Sequence, residues 1–568
     1  MRRTTAAGIC VALLSKFCTD AAQIPLQPVE STSTGASAGD SWQLDVPPSV
    51  NATAHLVFDT VSSFLQHWPN TRYRNGHNLV PGVVPVGTLL YHGRGDSNVP
   101  TIPEWTATDP EHSYLFCRGT TDAGCWHLTI VTVRPLQVLY FDGSSAAKMR
   151  DGPMDSQDVV GWGEVLPDRF FSERERIVDL CNWGKPLGID GYVRMEMDFE
   201  IMLCDFTAGV EVVSMANLAS QGRGPPRPKE MEDPISPMSA FASAGFEIIH
   251  SGSWHNHYPG DRRIKLDLTR LISFYDTALV PSLVAPRFKQ ERWDHRLLGI
   301  SPADVAAVMA RLDAAFREPP SPGSGVDWDT LFKVVVDRYD DRLEMVRYVL
   351  NSTADDALAT AKSAMAQFRV MLTPYILRTA VPADNDTAWT MPVFAMCATT
   401  HTGHIRRSVL TFTDSELLLL DAVEQTNREI CRVIVSVWAE GVAAGLDDAL
   451  LVADPVPVDG GALTRKWYAA VDGLMLWLDW SVWVKCRPAC GFEEICYLPT
   501  WPFMTGPGGG GGGGGGRRPG GGRGDPPSGP PPGGPPDLHA HPDLLMEDAD
   551  DYLRPQPRCV RRIEPFSF

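Results

Sequence analysis

Positive charge is the scarcer sign in this chain. Lys and Arg number 50 against 69 Asp and Glu, a formal net charge of −19. That balance excludes a nucleic-acid binder working through bulk attraction to phosphate. Long hydrophobic runs are missing as well. No stretch reaches the roughly 18 uncharged apolar residues of a membrane-spanning helix, and the densest late run, Gly473 to Val484, is broken by Asp479. A phosphate-cradling loop is missing too, because the poly-Gly run carries neither the Lys nor the Ser that such a loop needs. Metal-ligand spacing is poor. His255-x-His257, His401-x2-His404 and Cys486-x3-Cys490-x5-Cys496 lack a further ligand at a suitable interval, so no metal centre is expected. What remains is an acidic chain of 568 residues with 43% hydrophobic content. It is long enough for two to four units with real cores.

The N-terminus reads as an export signal over residues 1–22, with Arg2 and Arg3 ahead of an apolar stretch from Ala6 to Leu14 and small residues at Ala21 and Ala22. Export is consistent with three acceptor triplets for N-glycosylation, which begin at Asn51, Asn351 and Asn385. Loss of the leader removes Cys10 and Cys18. The even set left is Cys117, Cys125, Cys181, Cys204, Cys397, Cys431, Cys486, Cys490, Cys496 and Cys559, which suits disulfides whose pairing spacing alone leaves open. The expected location is therefore extracellular.

Composition divides the rest. Residues 23–50 are Ser-, Thr-, Pro- and Gly-rich, a linker. Within them Gly35-Ala-Ser37-Ala-Gly39 imitates a nucleophile elbow but lacks the strand and helix that such a turn requires. Residues 51–215 mix the two periodicities of an α+β unit. A helix is expected from Ala54, and strands over Val86–Tyr91, His127–Val133 and Gln137–Phe141. A helix over Ser172–Trp183 and strands over Gly191–Val193 and Glu200–Phe206 follow. Residues 216–264 read as a boundary loop. Residues 265–505 read as a helical, Cys-rich domain, with Ser301 and Asp327 as N-caps. The Gly/Pro-rich tail, 506–568, is expected to be disordered. The two Arg-Gly-Asp tripeptides, at Arg94 and Arg523, are short enough to be chance.

The sharpest chemistry lies in the first unit. Thr88-Leu-Leu-Tyr-His92-Gly-Arg94 places His-Gly at the end of an apolar strand. Pro103-Glu-Trp105 leads on to Ser113-Tyr-Leu-Phe, and Asp190-Gly191-Tyr-Val193 precedes Phe199-Glu200-Ile-Met-Leu-Cys-Asp205. That order resembles the ADP-ribosyltransferase fold over residues 88–206. The resemblance implies NAD as cofactor, with an unknown acceptor for the transferred group. His92 would hold ribose hydroxyls, Trp105 would stand where a Tyr stacks on nicotinamide, and Glu200 would stabilise the oxocarbenium charge as the nicotinamide bond breaks. Gly93, Arg94 and Ser113 would complete the cofactor-binding set, with His92 and Glu200 as the catalytic pair. Without NAD, His92 caps a strand, Trp105 packs in the core and Glu200 faces water.

A second reading takes Glu196, Asp198 and Glu200 as alternating carboxylates on one strand face, as in glycoside hydrolases. A third treats the chain as a non-catalytic cell-wall or interaction protein. A broader likeness covers residues 55–503. Phe64-Leu-Gln-His-Trp-Pro-Asn70, Leu139-Tyr-Phe-Asp-Gly143, Asp337-Arg-Tyr-Asp-Asp-Arg-Leu-Glu344 and the run from Cys486 to Pro502 resemble a family of uncharacterised, predicted-secreted fungal proteins. That resemblance implies an address and a shape but no reaction.

Overall fold

The computed structural model describes residues 42–114, 116–117, 124–195, 197–218, 248–319, 323–352, 356–382, 386–408, 410–450, 457–499 and 554–563. Ten strands make one curled sheet: β1 Asn78–Val84, β2 Leu89–Arg94, β3 Glu104–Ala107, β4 Cys125–Thr132, β5 Leu136–Phe141, β6 Gly191–Met195, β7 Phe199–Leu203, β8 Val210–Leu218, β9 Lys265–Leu266 and β10 Ile272–Ser273. Their spatial order is β10-β1-β5-β6-β7-β3-β2-β4-β8, with β9 also on β1. Every pairing is antiparallel except β5 with β6. A parallel pair needs a long crossover, and the helices Asp155–Trp162 and Glu173–Gly184 supply it.

Alternation along the strands sorts side chains into two layers. Leu136, Val138, Tyr140, Val193, Phe199, Ile201 and Leu203 enter one core. Leu139, Phe141, Tyr192 and Met202 enter the other. The helices that share the first layer's core include Ala54–Ser62, Trp328–Leu350, Ala357–Leu372, Asp414–Ala443 and Gly460–Leu478. The second is covered by the two crossover helices and Pro302–Arg317. The helix starts follow their caps. Ser301 accepts from the Asp304 amide at 3.1 Å, Asp327 accepts from Thr330, and Thr413 forms a reciprocal box with Glu416.

The structure is α+β as expected, with three differences of organisation. The helical part does not start at 265: β9 and β10 add to the sheet through β1, and the first long helix begins at Pro302. Nor is it a separate body, because one hydrophobic cluster runs from the strands through the five helices. Buried charge ties the same parts together. Arg292 donates to Asp59 at 2.8 Å, and Asp59 accepts from the Ser481 amide at 2.7 Å. Asp479 pairs with Arg72 at 3.1 Å. The third difference lies in the expected disordered tail, where Arg558–Arg561 forms a strand (β12) on Glu494–Tyr497 (β11).

The ten cysteines form five disulfides: Cys117–Cys125, Cys181–Cys204, Cys397–Cys431, Cys486–Cys496 and Cys490–Cys559. The last of these clamps β12 in place, which composition alone could not foretell. Among the described residues no helix is long and apolar enough to cross a membrane.

Candidate functional site

Strands β2, β3 and β7 are neighbours, so His92, Trp105 and Glu200 lie in one region of the sheet. They do not share a face. Tyr91 pairs with Ala107, and Ala107 with Glu200. Glu200 and Trp105 therefore point to one layer, and His92, one residue out of phase, to the other. The expected common cleft is not formed. The His92 ring lies 5.5 Å from that of Phe206, in the helix-covered core. Its Nδ1 meets the Trp105 carbonyl oxygen at 2.6 Å, and its Nε2 meets Glu104 at 3.0 Å. Trp105 packs on the opposite core beneath Arg174.

Glu200 is buried, not solvated. Arg194 of β6 donates to it through Nε at 2.8 Å and also reaches Glu173 at 2.7 Å. The other expected NAD contacts are spent on packing. A Cβ at Gly93 would lie 2.2 Å from the Ser113 carbonyl oxygen, so the helix Pro110–Tyr114 needs glycine there. Ser113 donates to Pro110 at 2.9 Å and meets His127 Nε2 at 2.7 Å. Arg94 pairs with Asp96. Of the three alternating acids, Glu196 lies outside the described residues, Asp198 sits in the turn ahead of β7, and Glu200 is on β7 itself.

The turn holding Asp198 builds a different centre. Thr108 still bonds Phe199 across the strands at 3.1 Å, and the next residues on each side, Asp109 and Asp198, face each other where β3 ends and β7 begins. Residues 248–263 close over them. Their path is held by the His67 amide on the His255 carbonyl at 2.9 Å and the Asp261 amide on the Leu65 carbonyl at 2.7 Å. Gly252 packs directly against the Met197 carbonyl, where a Cβ would sit 1.9 Å away. Arg263 then grips Asp109 at 3.0 and 2.7 Å and Asp261 at 2.7 Å. His255 Nε2 meets Asp109 at 3.4 Å, and Ser251 donates to Asp198 at 3.2 Å.

The two carboxylates lie with an oxygen of each within 4.8 Å of the other, and their environments push them apart. Burial raises Asp198, and the adjacent Asp109 charge raises it further, to about 7. Burial also opposes ionisation of Asp109, but hydrogen bonds from His255 and Arg263 outweigh it and hold that group well below the carboxylate range. Burial disfavours the His255 cation, yet Asp109, Asp261 and Asp198 raise its pKa on balance. One carboxylate thus keeps a proton near neutrality while its partner stays ionised, the condition for acid–base work. His255 and Arg263 are the solvent-facing members, with side chains 13% and 29% exposed.

Metal donors are present in the same place. One ligand atom each from Asp109, Asp198 and His255 lies within 4.8 Å of the others, although Arg263 already supplies a cation to Asp109. Cys486, Cys490 and Cys496 also cluster, but their sulfurs are committed to disulfides. Sequence reasoning touched two members of the centre, Asp198 among the alternating acids and His255 in a weak His pair. Asp109, Asp261 and Arg263 carried no signal of their own.

The molecule is thus an α+β protein with a curled mixed sheet between helical layers and a buried carboxylate pair where β3 ends and β7 begins. The family model described as the YPL277C N-terminal domain matches residues 44–129 and 118–231, the segment that contains this sheet end. The chain is similar to the uncharacterized protein YOR389W of Saccharomyces cerevisiae, 27% identical over 554 residues, covering 81% of this chain and 83% of that one. It is also similar to the uncharacterized protein YPL277C of the same yeast, 28% identical over 393 residues, covering 54% and 77%. No solved structure matches. These likenesses agree with the fungal resemblance seen in the sequence and lend no support to the ADP-ribosyltransferase one.

Proposed function

We propose that the chain is an acid–base hydrolase acting on a carbonyl substrate, an ester or amide, with Asp109 and Asp198 as its working pair. What supports this most is the juxtaposition of two buried carboxylates, an oxygen of each within 4.8 Å of the other, in surroundings that push Asp198 up to about 7 and hold Asp109 low. Ionised Asp109 takes a proton from water, whose oxygen bonds the carbonyl carbon. Protonated Asp198 gives its proton to the carbonyl oxygen. As the tetrahedral species collapses, Asp109 passes the water proton to the leaving oxygen or nitrogen, a hydroxyl proton returns to Asp198, and the alcohol or amine departs beside a carboxylic acid. His255 stands at the solvent side as the proton relay. Carboxylates this close, within 4.8 Å, suit this chemistry better than glycoside cleavage, which needs them about 5–9 Å apart.

The test is hydrolysis of fluorogenic ester and peptide substrates from pH 4 to 8, with and without a chelator. Turnover should fall on the alkaline side as Asp198 ionises, should ignore the chelator, and should drop at least about a hundredfold in Asp198→Asn. Undiminished turnover in that variant, or none with any carbonyl substrate, sinks the reading. Chelator-sensitive turnover would reassign the centre to a metal.

A second reading keeps NAD, in an ADP-ribosyltransferase-like or NAD glycohydrolase-like domain using His92, Trp105 and Glu200. Its support is that the three strands bearing these residues are consecutive in the sheet. Nicotinamide release from NAD by the purified chain, abolished by Glu200→Gln, would establish it. Saturable NAD binding without release would mark a degenerate site. For either chemistry we place the protein outside the reducing cytosol, a location supported by its five disulfides.

A further inference from the structure

In the sequence, Cys486-x3-Cys490-x5-Cys496 lacks a fourth metal donor, and the fold supplies one. Cys559 arrives on β12 directly opposite Cys496 of β11 in the antiparallel pair. Cys486 and Cys490 come from the loop ahead of β11 and bond to Cys496 and Cys559 in turn. The two disulfides lie side by side, because the sulfurs of Cys486, Cys490 and Cys496 are all within 4.8 Å of one another. Two sulfurs from a loop and two from facing strands thus share one small volume. Such a closed set of four cysteines is the donor set of structural zinc, and the x3 spacing of the loop pair falls within the usual interval. Zinc–sulfur bonds of about 2.3 Å set tetrahedral sulfurs about 3.8 Å apart, a spacing inside the 4.8 Å that already contains three of them.

The surroundings favour thiolate. The Cys486 amide donates to the Cys496 sulfur at 3.0 Å, and a hydrogen bond to sulfur stabilises its anion. Lys485, Arg487, Arg558, Arg561 and Arg562 flank the cysteines. Glu344 pairs with Lys485 and Arg487, and Glu493 with Arg561. With Glu494 added, five cations stand against three carboxylates, an excess that suits a dianionic tetrathiolate. Access separates this pair of disulfides from the others. All four of its cysteines are half-buried, whereas Cys117, Cys125, Cys181, Cys397 and Cys431 are buried and place at least one buried sulfur in each remaining disulfide. An attacking thiolate must reach the sulfur it displaces, so this pair opens first.

We infer that a dithiol opens these two disulfides and that the four freed cysteines then bind one zinc ion as a tetrathiolate. Each disulfide takes two electrons and two protons from a dithiol, which becomes its own cyclic disulfide, and zinc then displaces the four thiol protons. β12 stays clamped to β11 in both forms, by Cys490–Cys559 when oxidised and by zinc when reduced. The test treats the full chain with dithiothreitol, removes it without air, and uses cobalt(II) and zinc(II) as probes. Alkylation and peptide mapping should find free thiols first at Cys486, Cys490, Cys496 and Cys559. Cobalt should give the intense visible bands of a tetrahedral thiolate complex at one ion per chain. Zinc should bleach those bands and shield all four thiols from alkylation. Cys490→Ser with Cys559→Ser should abolish the bands, while Cys397→Ser with Cys431→Ser, at another disulfide, should keep them. Four free thiols without a tetrahedral cobalt spectrum overturn the assignment. So do bands that survive the first double substitution, or a dithiol that frees other cysteines first. Zinc shielding needs no variant, so it decides the matter even if a substituted chain fails to fold.

Discussion

Arg194 on β6 donates through Nε to Glu200 on β7 at 2.8 Å, and both side chains are buried inside the sheet's second layer. The residue that looked most like a catalytic acid in the sequence is thus the counter-ion of a buried arginine, which Glu173 holds from the other side at 2.7 Å. Removing one partner of such a group leaves charge stranded in a poor dielectric. Glu200→Ala should lower the unfolding free energy by about 3 kcal/mol in urea titrations. A catalytic acid free of structural duty would instead leave stability unchanged.

Gly93 predicts a steric effect. The Cβ of Gly93→Ala would lie 2.2 Å from a backbone oxygen, that of Ser113, which no rotamer can relieve. We expect a loss of about 2–3 kcal/mol, read by thermal unfolding. A neutral substitution would show that the helix Pro110–Tyr114 can move away freely.

Arg292 is buried between Asp59, near the chain's start, and Asp479, at the end of the helix Gly460–Leu478. Arg292→Met leaves Asp59 buried beside a second carboxylate, at a cost of about 3–5 kcal/mol. Because sheet and helices share one core, far-UV and near-UV signals should still lose structure in one coincident transition. Two separate transitions would show that the helical part folds independently.

Each shifted group enters the pH dependence with its own sign. Burial raises Asp142 and Asp158 to about 6 and, with the Asp109 charge, Asp198 to about 7. Each group holds its proton more tightly when folded. Its contribution is fully present below the ordinary value of 3.8 and is lost as pH rises through 6 to 7. Glu173 runs the other way. Arg194 overcomes burial and holds it at about 2, so its contribution is present above the ordinary 4.5 and fades only as pH falls towards 2. Buried neutral histidines oppose the raised carboxyls, because burial holds His55 at about 3 and His401 at about 4, and their contribution is lost as pH falls below the ordinary 6.5. The Asp198 share is isolated by Asp198→Asn, whose unfolding temperature relative to the unaltered chain should rise from pH 5 to pH 8. A difference that stays flat or falls would contradict the assignment.

The disulfide Cys181–Cys204 joins the helix Glu173–Gly184 to the residue following β7, closing 23 residues of chain. By loop-closure entropy, Cys181→Ser with Cys204→Ser should cost about 3 kcal/mol. Calorimetry of that double variant would check it, and an unchanged transition would mean that packing alone orders the crossover.

Local chemistry was legible in the sequence wherever neighbours in the chain decide the outcome. Ser301 and Asp327 start their helices because a side-chain oxygen satisfies the amide three residues on, and alternation marked His127 to Val133 as strand whatever it would pair with. An even set of cysteines pointed to disulfides. Which cysteines join was decided in space, and so was the course of residues 558–561, which composition assigned to disorder until Cys559 met Cys490. The same division runs through the site. Residue types near 92, 105 and 200 suggested one cleft, but a strand's period of two makes a single step of register reverse the face, and register is set by partner strands rather than by the strand itself. That step put His92 in one core and Glu200 in the other. It also set Asp109 opposite Asp198, where a chain segment returning some 60 residues later could bring His255, Asp261 and Arg263 to them.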